Sequence, residues 1–207
     1  MSETSAAPID FYFDFISPFG YFASLRINAL AAAHGRPVDW RSMLVGVTVL
    51  KVMGLKPMLD IPLRGAYLKH DAARYMRRHG IVLTRPIDRP PTSPLLAGRA
   101  FHWLRTHAPD RARAAAAALY AAYWMEDIAL DDAERVAEIA GLGNAADRRG
   151  ILDGLASGEA ALLLRQEVDA SIARGIFGSP SFLVDGELFF GVEKLELLDE
   201  WLEVGGW

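Results

Sequence analysis

The sequence predicts an α/β fold in which strands from both ends of the chain form one sheet and helices fill the middle. Runs of apolar and aromatic residues typical of strands occur near both termini, whereas the long middle segment has apolar residues at helical spacing. The chain has 207 residues, 52% of them hydrophobic, which suits one compact domain with a substantial core. We therefore predict a discontinuous α/β domain, residues 8–45 and 175–207, with an all-helical insertion, residues 46–174.

The first unit is predicted to be a strand, a helix and a second strand. Residues 9–15 are almost wholly apolar, as a buried strand requires. Ser17 follows, and Pro18 takes the first position of the next helix, where a missing N–H has no consequence. Ser17 is therefore the predicted N-cap of a helix over residues 18–33. A glycine and a proline end this helix, and a strand over residues 38–42 completes the unit.

The middle of the chain is predicted to be helical, with one long loop. Residues 86–94 contain four prolines without periodicity, which predicts the loop. The histidines of this region lack the spacing of a ligand set and have no cysteine beside them, so we expect no metal site. The predicted helices lie near residues 47–53, 63–79, 94–108, 110–126, 132–140, 148–154 and 158–174.

The C-terminal unit is predicted to be a hairpin followed by a helix. Ser179 and Pro180 precede a short strand over residues 181–184. An Asp-Gly turn and a second strand over residues 187–190 follow, which is a strong hairpin pattern. A helix over residues 194–204 closes the unit. Local sequence leaves open whether the peptide bond before Pro180 is cis or trans.

Composition excludes several classes of function. A net charge of −4 gives no general basis for binding nucleic acid. No apolar run approaches the roughly 20 residues of a membrane-spanning helix. The first eight residues lack the basic and apolar regions of a secretory signal, so we expect a loose tail and a cytoplasmic protein. The chain has no cysteine, which excludes thiol–disulfide exchange through a protein thiolate.

Two segments resemble a known family. Residues 11–21, Phe-Tyr-Phe-Asp-Phe-Ile-Ser-Pro-Phe-Gly-Tyr, resemble the opening of the 2-hydroxychromene-2-carboxylate isomerases. These enzymes group with the kappa-class glutathione transferases in the DsbA-like branch of the thioredoxin fold. Residues 175–195 resemble the closing signature of the same family, and the helical middle fits its insertion. The resemblance implies a thioredoxin-like domain, glutathione as the cofactor and a homodimer.

The resemblance also implies roles for individual residues. Ser17 would be the catalytic residue, because its hydroxyl would stabilise the thiolate of bound glutathione. Glu193 would accept from the α-ammonium of glutathione, although it could equally offset a helix dipole. The implied glutathione-binding residues are Ser17, Phe19, Ser179, Pro180, Phe190, Gly191, Val192 and Glu193. The implied substrate-binding residues in the insertion are Lys51, Arg64, Tyr67 and Arg89.

Three functions stay open at this point. The first is a glutathione-dependent isomerase that interconverts 2-hydroxychromene-2-carboxylate and trans-o-hydroxybenzylidenepyruvate or a related unsaturated 2-oxo acid. The second is a kappa-like glutathione transferase that conjugates electrophiles. The third is a non-catalytic thioredoxin-like binding module in which Ser17 only caps a helix. The family commonly has an asparagine near residues 55–60 and a tyrosine in the proline-rich loop; both are absent here, so the substrate is less defined than the cofactor.

Overall fold

A computed structural model describes residues 7–207, and its centre is a four-stranded mixed sheet. The strand order is β2-β1-β3-β4. β1 is parallel to β2 and antiparallel to β3, and β3 and β4 form the predicted hairpin. The strands are β1 (Ile9–Phe13), β2 (Val38–Ser42), β3 (Ser181–Val184) and β4 (Glu187–Phe190). The sheet thus combines segments from both ends of the chain, as predicted.

Helices surround this sheet and supply most of the middle of the chain. The helices in the described part of the chain are α1 (Pro18–Ser24), α2 (Ile27–Ala33), α3 (Arg64–His79), α4 (Leu95–His107), α5 (Pro109–Met125), α6 (Ala133–Gly141), α7 (Ala145–Ser157), α8 (Glu159–Ala173) and α9 (Leu195–Val204). A π-helix, Gly46–Val52, and two 3₁₀ turns, Met58–Asp60 and Val192–Lys194, complete them. No helix within residues 7–207 is long and apolar enough to cross a membrane.

The prediction of one helix over residues 18–33 is wrong, because the chain forms two helices there. The Ser24 hydroxyl donates to the carbonyl oxygen of Tyr21 at 2.6 Å. In a continuous helix this carbonyl would accept from the N–H of Leu25, so the serine competes with the helical hydrogen bond. α1 therefore ends at Ser24 and α2 begins at Ile27.

Smaller differences also have local causes. The predicted strand 9–15 ends at Phe13, because the chain turns at the buried Asp14 toward α1. The predicted helix near residues 148–154 starts earlier, because the Asn144 side chain caps it by accepting from the N–H groups of Ala146 and Asp147. Of the predicted N-terminal tail, residues 1–6 lie outside the described part of the chain.

One aromatic core joins the sheet to the helical segment. Phe13 of β1 has its ring centroid 5.3 Å from that of Phe101 in α4 and 5.5 Å from that of Tyr120 in α5. All three side chains are fully buried. Aromatic pairs at such distances contribute about 0.5–1.5 kcal/mol beyond the burial of their area. The helices are therefore fixed against the strand that leads into Ser17.

A charged cluster on the other side of the sheet also joins the two parts. The Arg41 guanidinium in β2 lies 3.1 Å from Asp10 of β1, 2.7 Å from Asp39 of β2 and 3.1 Å from Glu167 of α8. All four side chains are largely buried. Arg41 thus joins two strands and a helix that are distant in sequence.

Candidate active site

Ser17 connects the start of α1 to the loop before β3. As predicted, it is the N-cap of α1, and its Oγ accepts from the Gly20 N–H at 3.1 Å. The same hydroxyl donates to the carbonyl oxygen of Ser179 at 3.0 Å. The side chain is half-buried. The structure therefore brings the predicted catalytic residue and the predicted Ser-Pro loop into direct contact.

Two hydrogen bonds from other segments hold the loop that contains Ser179 and Pro180. The peptide bond between Ser179 and Pro180 is cis. The Ser179 Oγ accepts from the Asp14 N–H at 2.9 Å, and the Pro180 carbonyl accepts from the Gly191 N–H at 3.0 Å. The Ser179 carbonyl is thus fixed next to the hydroxyl of Ser17, where it can accept a hydrogen bond from a ligand amide.

Ser179 lines a cleft of about 470 Å³ between the C-terminal segment and the insertion. This volume is in the usual range for small-molecule sites, roughly 300–1,000 Å³. On the C-terminal side and at α1 the lining includes seven of the predicted glutathione residues: Phe19, Ser179, Pro180, Phe190, Gly191, Val192 and Glu193. The insertion contributes Met58, Leu63, Arg64, Tyr67, Leu68 and Asp71. The remaining predicted residue, Ser17, adjoins the cleft through its bond to the Ser179 carbonyl.

The polar end of the cleft is formed by Gly191 and Glu193. A Cβ atom at Gly191 would lie 2.5 Å from a Glu193 carboxylate oxygen, and Gly191 has a φ of +109°. The positive φ favours glycine there, whereas the close contact is with the mobile end of the Glu193 side chain. Glu193 is exposed, lines the cleft and has no ion-pair partner within residues 7–207. Its carboxylate is therefore available to a cationic group of a ligand.

The structure separates the four predicted substrate residues. Arg64 and Tyr67 line the cleft from the start of α3. Lys51 lies in the π-helix and Arg89 in the proline-rich loop; neither is among the lining residues. Arg89 forms an ion pair with Asp127. Substrate roles for Lys51 and Arg89 thus have no support from this arrangement, whereas Arg64 is the lining cation.

Other charged and histidine side chains of the insertion have partners within the protein. Asp71 and Arg74 form an ion pair on α3, with 2.5 Å between their charged groups. No three His, Cys, Asp or Glu side chains cluster as metal ligands within residues 7–207. Burial lowers the pKa of His102 to about 4, so this side chain is neutral and its Nε2–H donates to the Ser42 carbonyl at 2.9 Å.

Sequence reasoning missed Asp14 as a residue of the site. It is fully buried, three positions before Ser17, and its main-chain carbonyl accepts from the Ser17 N–H and the Tyr120 hydroxyl. The signal in the sequence was a single charged residue within an aromatic run. Burial was not predictable from that pattern, because it depends on α5 and on residues after β2.

Gly20 occupies a position without room for a side chain. A Cβ atom there would lie 2.6 Å from the Ser179 Oγ and 2.8 Å from the Tyr120 hydroxyl. Any side chain at this position would therefore collide with the groups that hold Ser179 in place.

We expect Gly20→Ala to destabilise the protein by about 1–3 kcal/mol, as overpacking commonly does. Displacement of Ser179 should also weaken the binding of any ligand that pairs with the Ser179 carbonyl. Thermal unfolding and calorimetric titration would measure the two effects. Gly46→Ala is a matched control, because a Cβ at Gly46 meets no atom within 4 Å. Equal stability of the two variants would show that the close contacts at Gly20 relax without strain.

Comparisons with known proteins identify the family of the chain. The DSBA-like thioredoxin domain family model matches residues 8–203. The 2-hydroxychromene-2-carboxylate isomerases of Pseudomonas putida and Sphingobium xenophagum are 27% identical over 192 and 198 residues. These matches cover 92% and 94% of this chain and 92% and 97% of those proteins.

Solved structures of other proteins have a similar fold. A 2-hydroxychromene-2-carboxylate isomerase superposes with a TM-score of 0.79 at 26% identity, covering 95% of this chain and 94% of that one. A probable DsbA oxidoreductase from Streptomyces coelicolor superposes with a TM-score of 0.71 at 20% identity, covering 95% and 88%. The predicted thioredoxin-like fold and the predicted resemblance to the 2-hydroxychromene-2-carboxylate isomerases are confirmed.

Proposed function

Because the chain belongs to the family of DSBA-like thioredoxin domains and has no cysteine, we propose that it is a glutathione-dependent isomerase of unsaturated 2-oxo acids. The substrate class is that of the 2-hydroxychromene-2-carboxylate isomerases to which the chain is similar over more than 90% of its length. The observation that carries the proposal is the hydroxyl of Ser17 on the Ser179 carbonyl beside an apolar cleft. That position suits a ligand that brings its own thiol.

The residues of the cleft fit glutathione. The Ser179 carbonyl would accept from the amide of the cysteinyl residue, as an edge strand does when it receives a peptide. This exchange would release the Ser17 hydroxyl to donate to the sulfur. The exposed carboxylate of Glu193 would accept from the α-ammonium of the γ-glutamyl end. Glutathione, when bound, supplies a thiolate that adds reversibly to a conjugated double bond.

The chain's own residues would stabilise charge on both reactants. A hydroxyl that donates to a thiolate lowers the pKa of that thiol. Gly20 has its N–H engaged by Ser17 and Pro18 has none, so the Phe19 N–H is the remaining backbone donor at the start of α1. Arg64 would pair with the carboxylate of the 2-oxo acid, since cations near developing negative charge stabilise it.

The experiment that tests this proposal is calorimetric titration with reduced glutathione, combined with ultraviolet absorbance of the thiolate across pH. We expect saturable binding, a lowered thiol pKa and turnover of a conjugated 2-oxo acid without loss of glutathione. Release of a thioether product would indicate a glutathione transferase instead. Absence of binding to the folded protein would contradict both enzyme functions and favour a binding module.

Leu63 at the mouth of the cleft provides a test of where the electrophile binds. Its side chain is 88% exposed, its φ is +66°, and the Arg64 N–H donates across it to the Pro62 carbonyl at 2.8 Å. This γ-turn is a rare and strained conformation for a leucine. An exposed leucine held under strain beside the cleft suits contact with the apolar part of a substrate.

We expect Leu63→Gly to stabilise the fold by about 1 kcal/mol. Glycine removes the backbone strain, and this gain exceeds the smaller cost of the greater freedom of glycine in the unfolded chain. KM for an aromatic 2-oxo acid should rise by about 10-fold, since one apolar contact is lost, with unchanged affinity for glutathione. Leu142→Gly is the matched control, with a φ of +51° and 40% exposure at the end of α6. An equal effect of both variants on KM would contradict a substrate contact at Leu63.

A further inference from the structure

Asp14 carries a buried carboxylate whose side-chain partners are backbone N–H groups. Its side chain is fully buried and forms no ion pair with any residue in the described range 7–207. Instead, Oδ1 accepts from the Ile16 N–H at 3.2 Å and Oδ2 accepts from the Val45 N–H at 2.8 Å. Transfer of a charge into the interior is strongly unfavourable unless partners compensate it. An acid retained in such a place next to a cleft is a candidate functional group.

The two N–H groups belong to segments that must meet at the site. Ile16 directly precedes Ser17, and Val45 directly precedes the π-helix Gly46–Val52, where the insertion begins. The main chain of Asp14 extends the contact, because its N–H donates to the Ser179 Oγ and its carbonyl accepts from the Tyr120 hydroxyl. One residue therefore contacts the Ser17 turn, the Ser179 loop, α5 and the start of the insertion.

We propose that Asp14 is a positioning residue whose ionised carboxylate holds the Ser17 turn against the start of the insertion. Its consequence for ligand binding rests on the proposed function. The carboxylate fixes Ile16, and hence the direction in which the Ser17 hydroxyl and the Phe19 N–H point. The same carboxylate fixes Val45, from which the insertion leads to the far wall of the cleft.

The geometry makes this role dependent on ionisation. An ionised carboxylate accepts strongly at both oxygens, whereas a carboxylic acid carries an O–H donor on one oxygen, which then accepts only weakly. Because both partners of the Asp14 carboxylate are N–H donors, protonation weakens one of its two hydrogen bonds and adds an O–H for which neither partner is an acceptor. Burial raises the pKa of Asp14 to about 6, although the bonds from Val45 and Ile16 act in the opposite direction. The change in the hydrogen bonds of the Asp14 carboxyl group therefore occurs near pH 6.

The surrounding groups do not titrate in this range. Tyr120 of α5 contacts the main chain of Asp14, and burial raises its pKa well above the ordinary value, so its hydroxyl stays protonated. His102 of α4 binds the Ser42 carbonyl near the end of β2, and burial lowers its pKa to about 4. Ser17 and Ser179, the other polar side chains at this point, carry no charge.

Rising pH should lower the contribution of Asp14 to the stability of the fold but improve the placement of Ser17. A carboxyl with a raised pKa in the folded protein binds more protons than in the unfolded chain between about pH 4 and pH 6. The contribution of Asp14 to stability therefore falls as pH rises to about 6. We expect the placement of Ser17 to improve over the same rise, which a merely structural acid would not produce.

The test uses nuclear magnetic resonance and a ligand without a thiol proton. In the wild-type protein, the amide resonances of Ile16, Ser17 and Val45 should shift together with a common midpoint near pH 6. The affinity for S-methylglutathione should fall by about 10-fold between pH 7.5 and pH 5. In Asp14→Asn, affinity at pH 7.5 should already be about 10-fold lower and should not change across this range.

Asp132→Asn is the matched control, because Asp132 caps α6 through the Arg135 N–H and an asparagine caps equally well. It should retain the wild-type pH dependence. Independent titration of the three amides, or a midpoint below pH 5, would overturn the role of Asp14. If Asp14→Asn does not fold, the pH titration of the three amide resonances in the wild-type protein tests the role of Asp14. If S-methylglutathione does not bind at pH 7.5, the proposed function fails, and the amides still test Asp14.

Discussion

Replacement of Ser17 by alanine is expected to lower the rate of glutathione-dependent isomerisation by roughly 10- to 100-fold. A hydrogen bond to a charged group contributes about 1.5–3 kcal/mol, and each 1.36 kcal/mol corresponds to about tenfold in rate. In the proposed mechanism, Ser17→Ala would remove the hydroxyl that lowers the pKa of the glutathione thiol. The rate at pH 7 and the pH dependence of thiolate absorbance would measure this loss.

The fold should survive the same substitution. Ser17 caps α1 through the Gly20 N–H, and removal of such a cap costs about 1 kcal/mol. Asn144→Ala is a matched control, because it removes the cap of α7, far from Ser17 in sequence. It should lose a similar amount of stability and keep its activity. Ser17→Thr retains a hydroxyl and should recover part of the rate. Full activity in Ser17→Ala would rule out the proposed role of the serine.

Replacement of Arg41 by methionine is expected to have the largest effect on stability. Burial lowers the pKa of Arg41, but three carboxylates outweigh this effect and raise that pKa, so the guanidinium stays charged. Removal of the cation leaves Asp10, Asp39 and Glu167 close together and poorly hydrated. Loss of one partner from a buried ion pair costs about 3–5 kcal/mol. Arg105 and Arg174 also contact these acids, so we expect about 3 kcal/mol.

Thermal or denaturant unfolding would measure this effect, with an expected decrease in Tm of about 10 °C for a chain of this size. Arg149→Met provides the control, since Arg149 pairs with Asp153 on the surface, where both side chains are more than two-thirds exposed. Such pairs contribute about 0.3–0.5 kcal/mol. If Arg41→Met proved as mild as the control, the cluster would not hold α8 to the sheet.

The end segments of the chain were the most predictable part of the molecule. Ser17 was predicted as an N-cap from its neighbours alone, and the Asp-Gly turn located the hairpin. Both features depend on hydrogen bonds between residues a few positions apart. The predicted glutathione residues after Ser179 share one cleft because a hairpin and a short turn carry them. The sequence also named Arg64 and Tyr67, which line this cleft, as candidate substrate residues.

The insertion was less predictable, because its side chains find partners far away in sequence. In the sequence, Arg89 and Arg64 were equivalent candidates for a substrate-binding cation. In the structure, Arg89 pairs with Asp127, whereas Arg64 lines the cleft. Lys51 lies in a π-helix, a form that apolar periodicity does not distinguish from an α-helix. Charge alone therefore does not identify a substrate residue.

The sequence by itself determined that this protein has no thiol of its own, that a serine begins the first helix, and that strands at both ends flank a helical middle. These conclusions need only composition and short-range hydrogen bonding. Tertiary structure decided that Ser17 meets Ser179 and that Asp14 is buried with no cationic partner among residues 7–207. The burial of a polar group and its hydrogen-bond partners depend on the residues that pack around it. For Asp14, such neighbours lie 31 and 165 residues away in sequence.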